Sequence, residues 1–88
     1  MHAAAQNWHV NVIEALLEAG AEVDVQDVHG NTPLSTAVFN SRGRGEVILA
    51  LRQHGAKPSV PNRHGVTPLT LARSIANYDV AQYFADLP

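Results

Sequence analysis

A three-residue motif recurs along this chain at a fixed spacing. Thr32-Pro33-Leu34 returns 35 residues later as Thr67-Pro68-Leu69, and Gly20-Ala21 returns at the same offset as Gly55-Ala56. A third, partial copy lies nearer the N-terminus, where Ala4 precedes its counterpart in the second copy by 33 residues. Self-similarity with a period of about 20–50 residues indicates one structural unit repeated along the chain, with each unit stacked on its neighbours.

The repeated residues are typical of helix ends. The hydroxyl of Thr32 or Thr67 can accept a hydrogen bond from the first helical turn, and the proline that follows needs no donor there. Gly20 and Gly55 suit the left-handed backbone that ends a helix. The unit is therefore predicted to consist of helices joined by turns, and no segment has the pattern of a long strand.

A unit of about 33 residues that carries Thr-Pro-Leu and Gly-Ala resembles the ankyrin repeat, and the resemblance covers essentially the whole chain. It implies an all-α solenoid of stacked helix-turn-helix units with short β-hairpin-like loops. We predict one domain over residues 1–88, with about two and a half to three repeats. The repeats are predicted at 1–29, which lacks its start, at 30–64, with a two-residue insertion near 41–45, and at 65–88, the C-terminal cap.

The alignment of the repeats also predicts local structure. Trp8 stands where the family usually has glycine in the turn between two helices, so we expect Asn7 to adopt the unusual backbone angle instead. The insertion from Ser41 to Gly45 is expected to be an exposed, mobile loop. The second helix of repeat one is expected to carry an apolar stripe of Val12, Ile13, Leu16 and Leu17. The most buried residues are predicted to be Leu34, Ala37, Val47, Ile48 and Leu51.

The composition argues against several classes of protein. The 88 residues contain no cysteine, which removes thiol chemistry and cysteine-based zinc sites. The formal net charge of −2 creates no general field that would attract nucleic acid or an anionic membrane. No apolar run is long enough to span a membrane, and the N-terminus has no basic region followed by an apolar stretch. We therefore expect a cytoplasmic, reducing, intracellular location and no membrane partner.

Residues with catalytic or metal-binding chemistry do not form a recognisable pattern. The five histidines include no HExxH motif, and helices of successive repeats lie about 8–10 Å apart, too far for their side chains to share zinc readily. The carboxylates of repeat one map mostly to solvated positions, and Gly43-Arg44-Gly45 is not followed by the residues of a phosphate-binding loop. No serine lies in a nucleophile elbow. The sequence therefore predicts no enzyme activity, no metal and no cofactor.

The charges are divided unevenly along the chain. Residues 1–29 hold five acidic residues and no lysine or arginine, whereas residues 30–65 hold five basic residues and Glu46 as the one acid. Such a division can steer a charged partner, although an ordinary solvated surface would have the same pattern. A nucleic-acid partner is disfavoured, because the sequence does not interleave aromatic residues with these arginines.

The family resemblance implies a non-catalytic protein-protein interaction module, such as an adaptor, an inhibitor or a regulatory scaffold. In that family, partners commonly bind at the hairpin tips and at the exposed ends of the inner helices. Carried over by alignment, together with the two arginines of the insertion, the predicted partner-binding residues are Gln6, Asn7, Trp8, Val28, His29, Asn31, Phe39, Asn40, Arg42, Arg44, Arg63, His64, Val66 and Ile75.

Several alternatives remain open at this point. Trp8, Phe39 and Ile75 are large apolar residues where polar ones would suffice, which favours a binding role. A structural role is the alternative, with Phe39 and Ile75 packed against the insertion and Trp8 closing the bare N-terminal end. The chain as a whole can also be the C-terminal ankyrin tail of a larger protein that includes an enzyme. Self-association through the uncapped N-terminal repeat is a further alternative.

Overall fold

The computed structural model describes residues 1–87, and in that range the regular structure is entirely helical. Five α-helices are followed by one short 3₁₀ helix at the C-terminal end. The α-helices are α1 (His2–Gln6), α2 (Val10–Glu18), α3 (Pro33–Phe39), α4 (Glu46–Gln53) and α5 (Pro68–Ser74), and the 3₁₀ helix is Val80–Phe84. The predicted all-α architecture is confirmed.

The predicted threonine caps are present at the starts of α3 and α5. The Thr32 side chain accepts a hydrogen bond from the Ser35 backbone N–H at 3.3 Å. Thr67 and Thr70 form a reciprocal capping box, in which each side chain accepts from the other residue's backbone N–H. Helix α1 begins after Met1 without a side-chain cap, so the first helix lacks a stabilising contact that the other two inner helices have.

The helices stack in two rows, and the core lies between the rows. Helices α1, α3 and α5 lie side by side in an inner row, and α2 packs on α4 in an outer row. Each inner helix also packs on the helix that follows it in the chain. The central helix pair is the most deeply buried, as predicted for Leu34, Ala37, Val47, Ile48 and Leu51.

The loops between helix pairs have the same hydrogen bonds in both places. The backbone N–H of Asp27 donates to the carbonyl of Asn31, and that of Asn62 donates to the carbonyl of Val66, each at 2.9 Å. The two loops also stack, because the Arg63 N–H donates to the carbonyl of His29 at 3.1 Å. These contacts give hairpin-like loops that contain no strand in the described residues.

The expectation that Asn7 adopts the unusual backbone angle is wrong. Trp8 itself has a φ of 60°, whereas Asn7 has a φ of −103° and ends helix α1. Trp8 therefore adopts the left-handed backbone at the position where the family has glycine. A tryptophan in this region is uncommon, and tertiary contacts of its indole ring hold it there.

The apolar stripe expected on α2 is only partly buried. Ile13 is fully buried and Leu16 and Leu17 are half-buried, but Val12 is 47% exposed. Val12 stays exposed because the helix has a neighbour in the outer row of the described residues on one side only.

The insertion is not the wholly exposed loop that we expected. Arg42 and Arg44 are exposed, but Ser41 and Gly45 are buried. The Tyr83 hydroxyl, 40 residues away in sequence, donates to the carbonyl of Gly43 at 2.8 Å. A Cβ atom at Gly45 would overlap the Tyr83 ring, so the close packing of this ring requires glycine at that position.

The C-terminal segment closes the array with both apolar and ionic contacts. Val80 and Phe84 of the 3₁₀ helix are buried, and the Arg52 guanidinium lies 5.2 Å from the Phe84 ring. Arg52 forms a two-pronged salt bridge with Asp86 at 2.7 and 2.8 Å. The hydrogen bonds from Arg52 lower the pKa of Asp86, and the same pair raises the pKa of Arg52. The predicted end of repeat three, Pro88, lies outside the described residues.

Candidate functional site

The C-terminal ends of the inner helices line a concave surface, which we call the inner groove. Its middle cavity, of about 430 Å³, extends from Gln6 on α1 to Leu71 on α5, past Phe39 on α3. Asn31 and Asn62 of the loops, with Ser35 and Thr36 of α3, form part of its wall. The groove arises because α1, α3 and α5 end at equivalent positions of the repeated unit.

Two further cavities extend the inner groove at its ends. The apolar cavity, of about 320 Å³, adjoins Phe39, Arg42, Ile75 and Tyr78. The polar cavity, of about 270 Å³, adjoins Arg42 as well, together with Asn40 and other residues that include Trp8. Phe39, Asn40 and Arg42 each line two of these cavities. The middle, apolar and polar cavities therefore form one continuous surface.

Phe39 is the most exposed large apolar side chain in this groove. It is 73% exposed, whereas the residues at the equivalent positions of α1 and α5 are Gln6 and Ser74. The alternative that Phe39 packs against the insertion is therefore wrong. Ile75 differs, because it is half-buried and packs against the hydrophobic core. An aromatic ring left in water at the centre of a groove is a candidate anchor for a bound protein.

Trp8 joins the turn between α1 and α2 to the insertion. Its indole N–H donates to the carbonyl of Asn40. The guanidinium carbons of Arg44 and Arg42 lie 4.5 and 5.7 Å from the centre of the ring, within the range of cation–π contacts. Trp8 and Arg42 are also the two non-glycine residues with positive φ in residues 1–87, at 60° and 50°. The insertion and the indole ring thus form one packed unit, which we call the Trp–Arg cluster.

The hairpin tips form a second exposed region next to the groove. Val28 is 73% exposed, and His29, Arg63 and His64 are exposed as well. Among the predicted residues, Asn31 and Val66 connect this region to the groove, because both line the middle cavity.

The structure therefore divides the predicted site residues into two sets. Those that line the inner groove are Gln6, Asn7, Trp8, Asn31, Phe39, Asn40, Arg42, Val66 and Ile75. Those that do not are Val28, His29, Arg44, Arg63 and His64, of which Arg44 contacts the Trp8 ring.

Sequence reasoning missed several residues that line the groove. Asn62 had a usable signal, because it is the counterpart of Asp27 in the repeated loop. Leu71 and Tyr78 had none, since their place in the groove depends on how α5 and the segment after it pack against α3. Tyr78 is 47% exposed and lies in the linker before the 3₁₀ helix.

The charge that lines the groove is positive. Arg42 is the one charged residue that lines any of its cavities in the described residues, and no carboxylate lines them. Asp27 lies in the first hairpin-like loop, and its carboxylate accepts from the backbone N–H groups of His29 and Asn31. Desolvation raises the pKa of Asp27, but the two hydrogen bonds together with the nearby charges of His2 and His29 lower it by more, so the pKa is lowered.

The described residues contain no group of three or more histidine, aspartate or glutamate side chains placed to hold a metal ion. Within residues 1–87 no helix has the length and apolarity that a membrane span requires.

Comparison with known proteins supports the fold. A family model described as ankyrin repeats (3 copies) matches residues 1–62. Palmitoyltransferase ZDHHC13 of Homo sapiens and that of Pongo abelii are each 45% identical to this chain over 40 residues. That alignment covers 46% of this chain and 6% of each relative, so the chain corresponds to a small part of these proteins.

Proposed function

This chain belongs to the ankyrin repeat family, and we propose that it binds a partner protein in the inner groove. Ankyrin repeats are non-catalytic protein-protein interaction modules, and the finer proposal concerns where the partner binds. Under it, Phe39 anchors the partner, Trp8 and Arg42 contact it at one end, and the hairpin tips around His29 and His64 form the rim. We also propose that the repeats span residues 1–29, 30–64 and 65–88, as the sequence predicts.

The observation that carries this proposal is the exposure of Phe39 in a concave surface. A phenylalanine that is 73% exposed contributes little to folding, because most of its apolar area stays in water. Two cavities meet at its ring, so a partner side chain can bury the ring from either side. Aromatic anchors that become buried in this way dominate the energetics of many interfaces.

The proposal is tested by capturing partners with three forms of the immobilised protein: wild type, Phe39→Ala and Leu49→Ala. Leu49 is a matched control, since it is a large apolar residue, 44% exposed, on α4 of the outer row. Proteins captured from lysate are quantified by mass spectrometry, and the enriched ones are purified and titrated. We expect Phe39→Ala to weaken binding about tenfold or more and Leu49→Ala to leave it nearly unchanged.

The melting curves of both variants serve as a control for folding. Because both side chains are substantially exposed, we expect both to unfold within about 0.5 kcal/mol of wild type. If binding survives Phe39→Ala and is lost with Leu49→Ala, the partner uses the outer helices and the proposed site is wrong.

A second proposal concerns the protein to which this chain belongs. The two palmitoyltransferase relatives support the alternative that the ankyrin unit lies in a larger, enzyme-bearing protein. An immunoblot of the endogenous protein tests this: a band near 9.5 kDa contradicts it, and a much larger band supports it. The cytoplasmic location predicted from the sequence is tested by imaging the same endogenous protein.

A further inference from the structure

The proposed function does not specify the chemistry of the partner. The Trp–Arg cluster indicates which kind of partner segment fits the groove. Resting on the proposed function, we propose that the partner segment is an extended acidic peptide. One of its apolar side chains occupies the apolar cavity beside Phe39, and carboxylates that flank that side chain bind Arg42 and Arg44.

The first argument is that the two arginines have no anionic partner. The one salt bridge in residues 1–87 joins Arg52 to Asp86. Arg52 lies near the C-terminal end of α4, whereas the insertion precedes the N-terminal end of that helix. Glu46 is the one acid between residues 30 and 65, and it is exposed on the first turn of α4 without an ion pair. Arg42 and Arg44 therefore present unneutralised charge at the edge of the inner groove.

The second argument is that both guanidinium groups contact the same indole ring. Each lies within cation–π range of the Trp8 ring, at 5.7 Å for Arg42 and 4.5 Å for Arg44. Two cations held near one ring repel each other, and anionic groups of a partner relieve that repulsion. The guanidinium fork matches the geometry of a carboxylate, which favours this anion in a protein partner.

The third argument is the lining of the adjoining cavities. Arg42 lines both the apolar cavity and the polar cavity, so a carboxylate at Arg42 lies next to an apolar side chain packed on Phe39 or Ile75. The middle cavity is lined by uncharged groups, and the Gln6 side chain there makes no hydrogen bond to residues 1–87. Amide side chains both donate and accept, so they suit the backbone of an extended peptide.

The acids of repeat one do not oppose this proposal. Glu14 and Glu18 lie on α2 in the outer row, and Glu22 follows that helix. None of the three lines a cavity of the inner groove. Asp27 lies beside Asn31 of the middle cavity but does not line it, so Arg42 is the one charged residue among the described residues that line the groove.

The experiment uses three pools of short fluorescein-labelled peptides with randomised flanks. Their fixed cores are Asp-X-Leu-X-Asp, Asn-X-Leu-X-Asn and Lys-X-Leu-X-Lys, which are symmetric because the direction of the bound peptide is not assumed. Binding is measured by anisotropy at an ionic strength of about 0.15 M and again at about 1 M. Fluorescence of Trp8, the single tryptophan, gives a label-free readout at the cluster.

We expect the Asp pool to bind about tenfold more tightly than the Asn pool at the lower salt, and the Lys pool to bind most weakly. High salt should reduce this preference. The double variant Arg42→Gln with Arg44→Gln should bind the Asp and Asn pools equally, because it removes the two cations that distinguish a carboxylate from an amide. Lys57→Gln removes the same charge at an exposed position outside the groove, and it should keep the preference. The single arginine variants are measured too, so the test stands if the double variant fails to fold.

Equal binding of the Asp and Asn pools by wild type, or no measurable binding of any pool, overturns the acidic-peptide inference. So does an Asp preference that survives in the arginine variants, or a single-stranded oligouridine that binds more tightly than the Asp pool. Each of these results leaves the proposed function intact if capture of a partner still depends on Phe39. Conversely, a partner whose binding ignores Phe39 contradicts the proposed function, whatever the peptide pools show.

Discussion

Helices α2 and α4 carry matching residues at equivalent positions but bury them to different extents. Val12 on α2 is 47% exposed, whereas Val47, 35 residues later on α4, is 4% exposed. Leu16 is half-buried and its counterpart Leu51 is fully buried. The residue type is the same in each pair, so the difference lies in what surrounds the helix.

The surroundings follow from the order of the stack. Helix α4 has α2 on one side and the C-terminal segment on the other. It contacts the C-terminal segment at Tyr83, through Arg52 and through Gly45, the residue before the helix. Helix α2 has α4 as its one neighbour in the outer row of the described residues. In a solenoid each unit contacts only its neighbours, so a unit at the end of the described array has one apolar face that the described residues do not cover.

The largest expected effect comes from truncating the equivalent leucines of the two helices. Leu51→Ala should destabilise the domain by about 2–5 kcal/mol, because it leaves a cavity in a closed core. Leu16→Ala removes a half-buried side chain and should cost only about 1 kcal/mol. Urea denaturation followed by circular dichroism measures both. Equal losses would show that α2 is covered as completely as α4, for example by a second copy of the chain.

A steric change tests the C-terminal closure of α4. Gly45→Ala should cost about 1–3 kcal/mol, because the new methyl group overlaps the Tyr83 ring. The backbone at Gly45, with a φ of −106°, suits alanine, so strain in the backbone does not contribute. Thermal unfolding measures the change. An unchanged or higher melting temperature would contradict the packing of Tyr83 on the insertion.

A smaller effect is expected from the single hydrogen bond across that closure. Tyr83→Phe removes the bond from the hydroxyl to the carbonyl of Gly43 and should cost about 0.5–1.5 kcal/mol. Tyr78→Phe is the matched control, since Tyr78 is 47% exposed and its hydroxyl makes no hydrogen bond to residues 1–87. Denaturant titrations of the two variants should differ by this amount. A loss in Tyr78→Phe as large as in Tyr83→Phe would argue against a specific role for the Tyr83 hydroxyl.

The smallest effect concerns the two loops, of which only the first has a carboxyl group at the position that accepts the loop's backbone hydrogen bonds. Asp27 and Asn62 accept the same pair of backbone hydrogen bonds, but only Asp27 has a pKa, and that pKa is lowered in the folded state. A lowered pKa means that Asp27 stabilises the fold above its ordinary value of 3.8, and that this contribution is lost as the pH falls through the folded pKa.

Substitutions that exchange the residue types at positions 27 and 62 test whether the Asp27 carboxylate makes stability depend on pH. Asp27→Asn should fold with the same loop geometry and lose less stability between neutral pH and the acid range than wild type does. Asn62→Asp should add acid sensitivity to the second loop. Unfolding free energies measured across this pH range check both variants. If Asp27→Asn keeps the full acid sensitivity of wild type, the carboxylate of Asp86 is the remaining group with a lowered pKa.

The sequence alone determined the period, the ends of the helices and the centre of the core. Thr32 and Thr67 cap helices, and Gly20 and Gly55 have left-handed backbones, because these roles depend on residues within one helical turn. Leu34, Ile48 and Leu51 are buried as predicted, because the middle unit is covered from both sides whatever the details of packing.

Only the tertiary structure decided how the special turns and the ends of the array are completed. The Trp8 ring lies against arginines from a different repeat, and Tyr83 contacts the insertion across 40 residues of sequence. The exposure of Phe39, and so the centre of the inner groove, depends on where α5 packs against α3. Such contacts join residues that are distant along the chain. A local pattern of residue types does not indicate which distant side chain packs against a given residue.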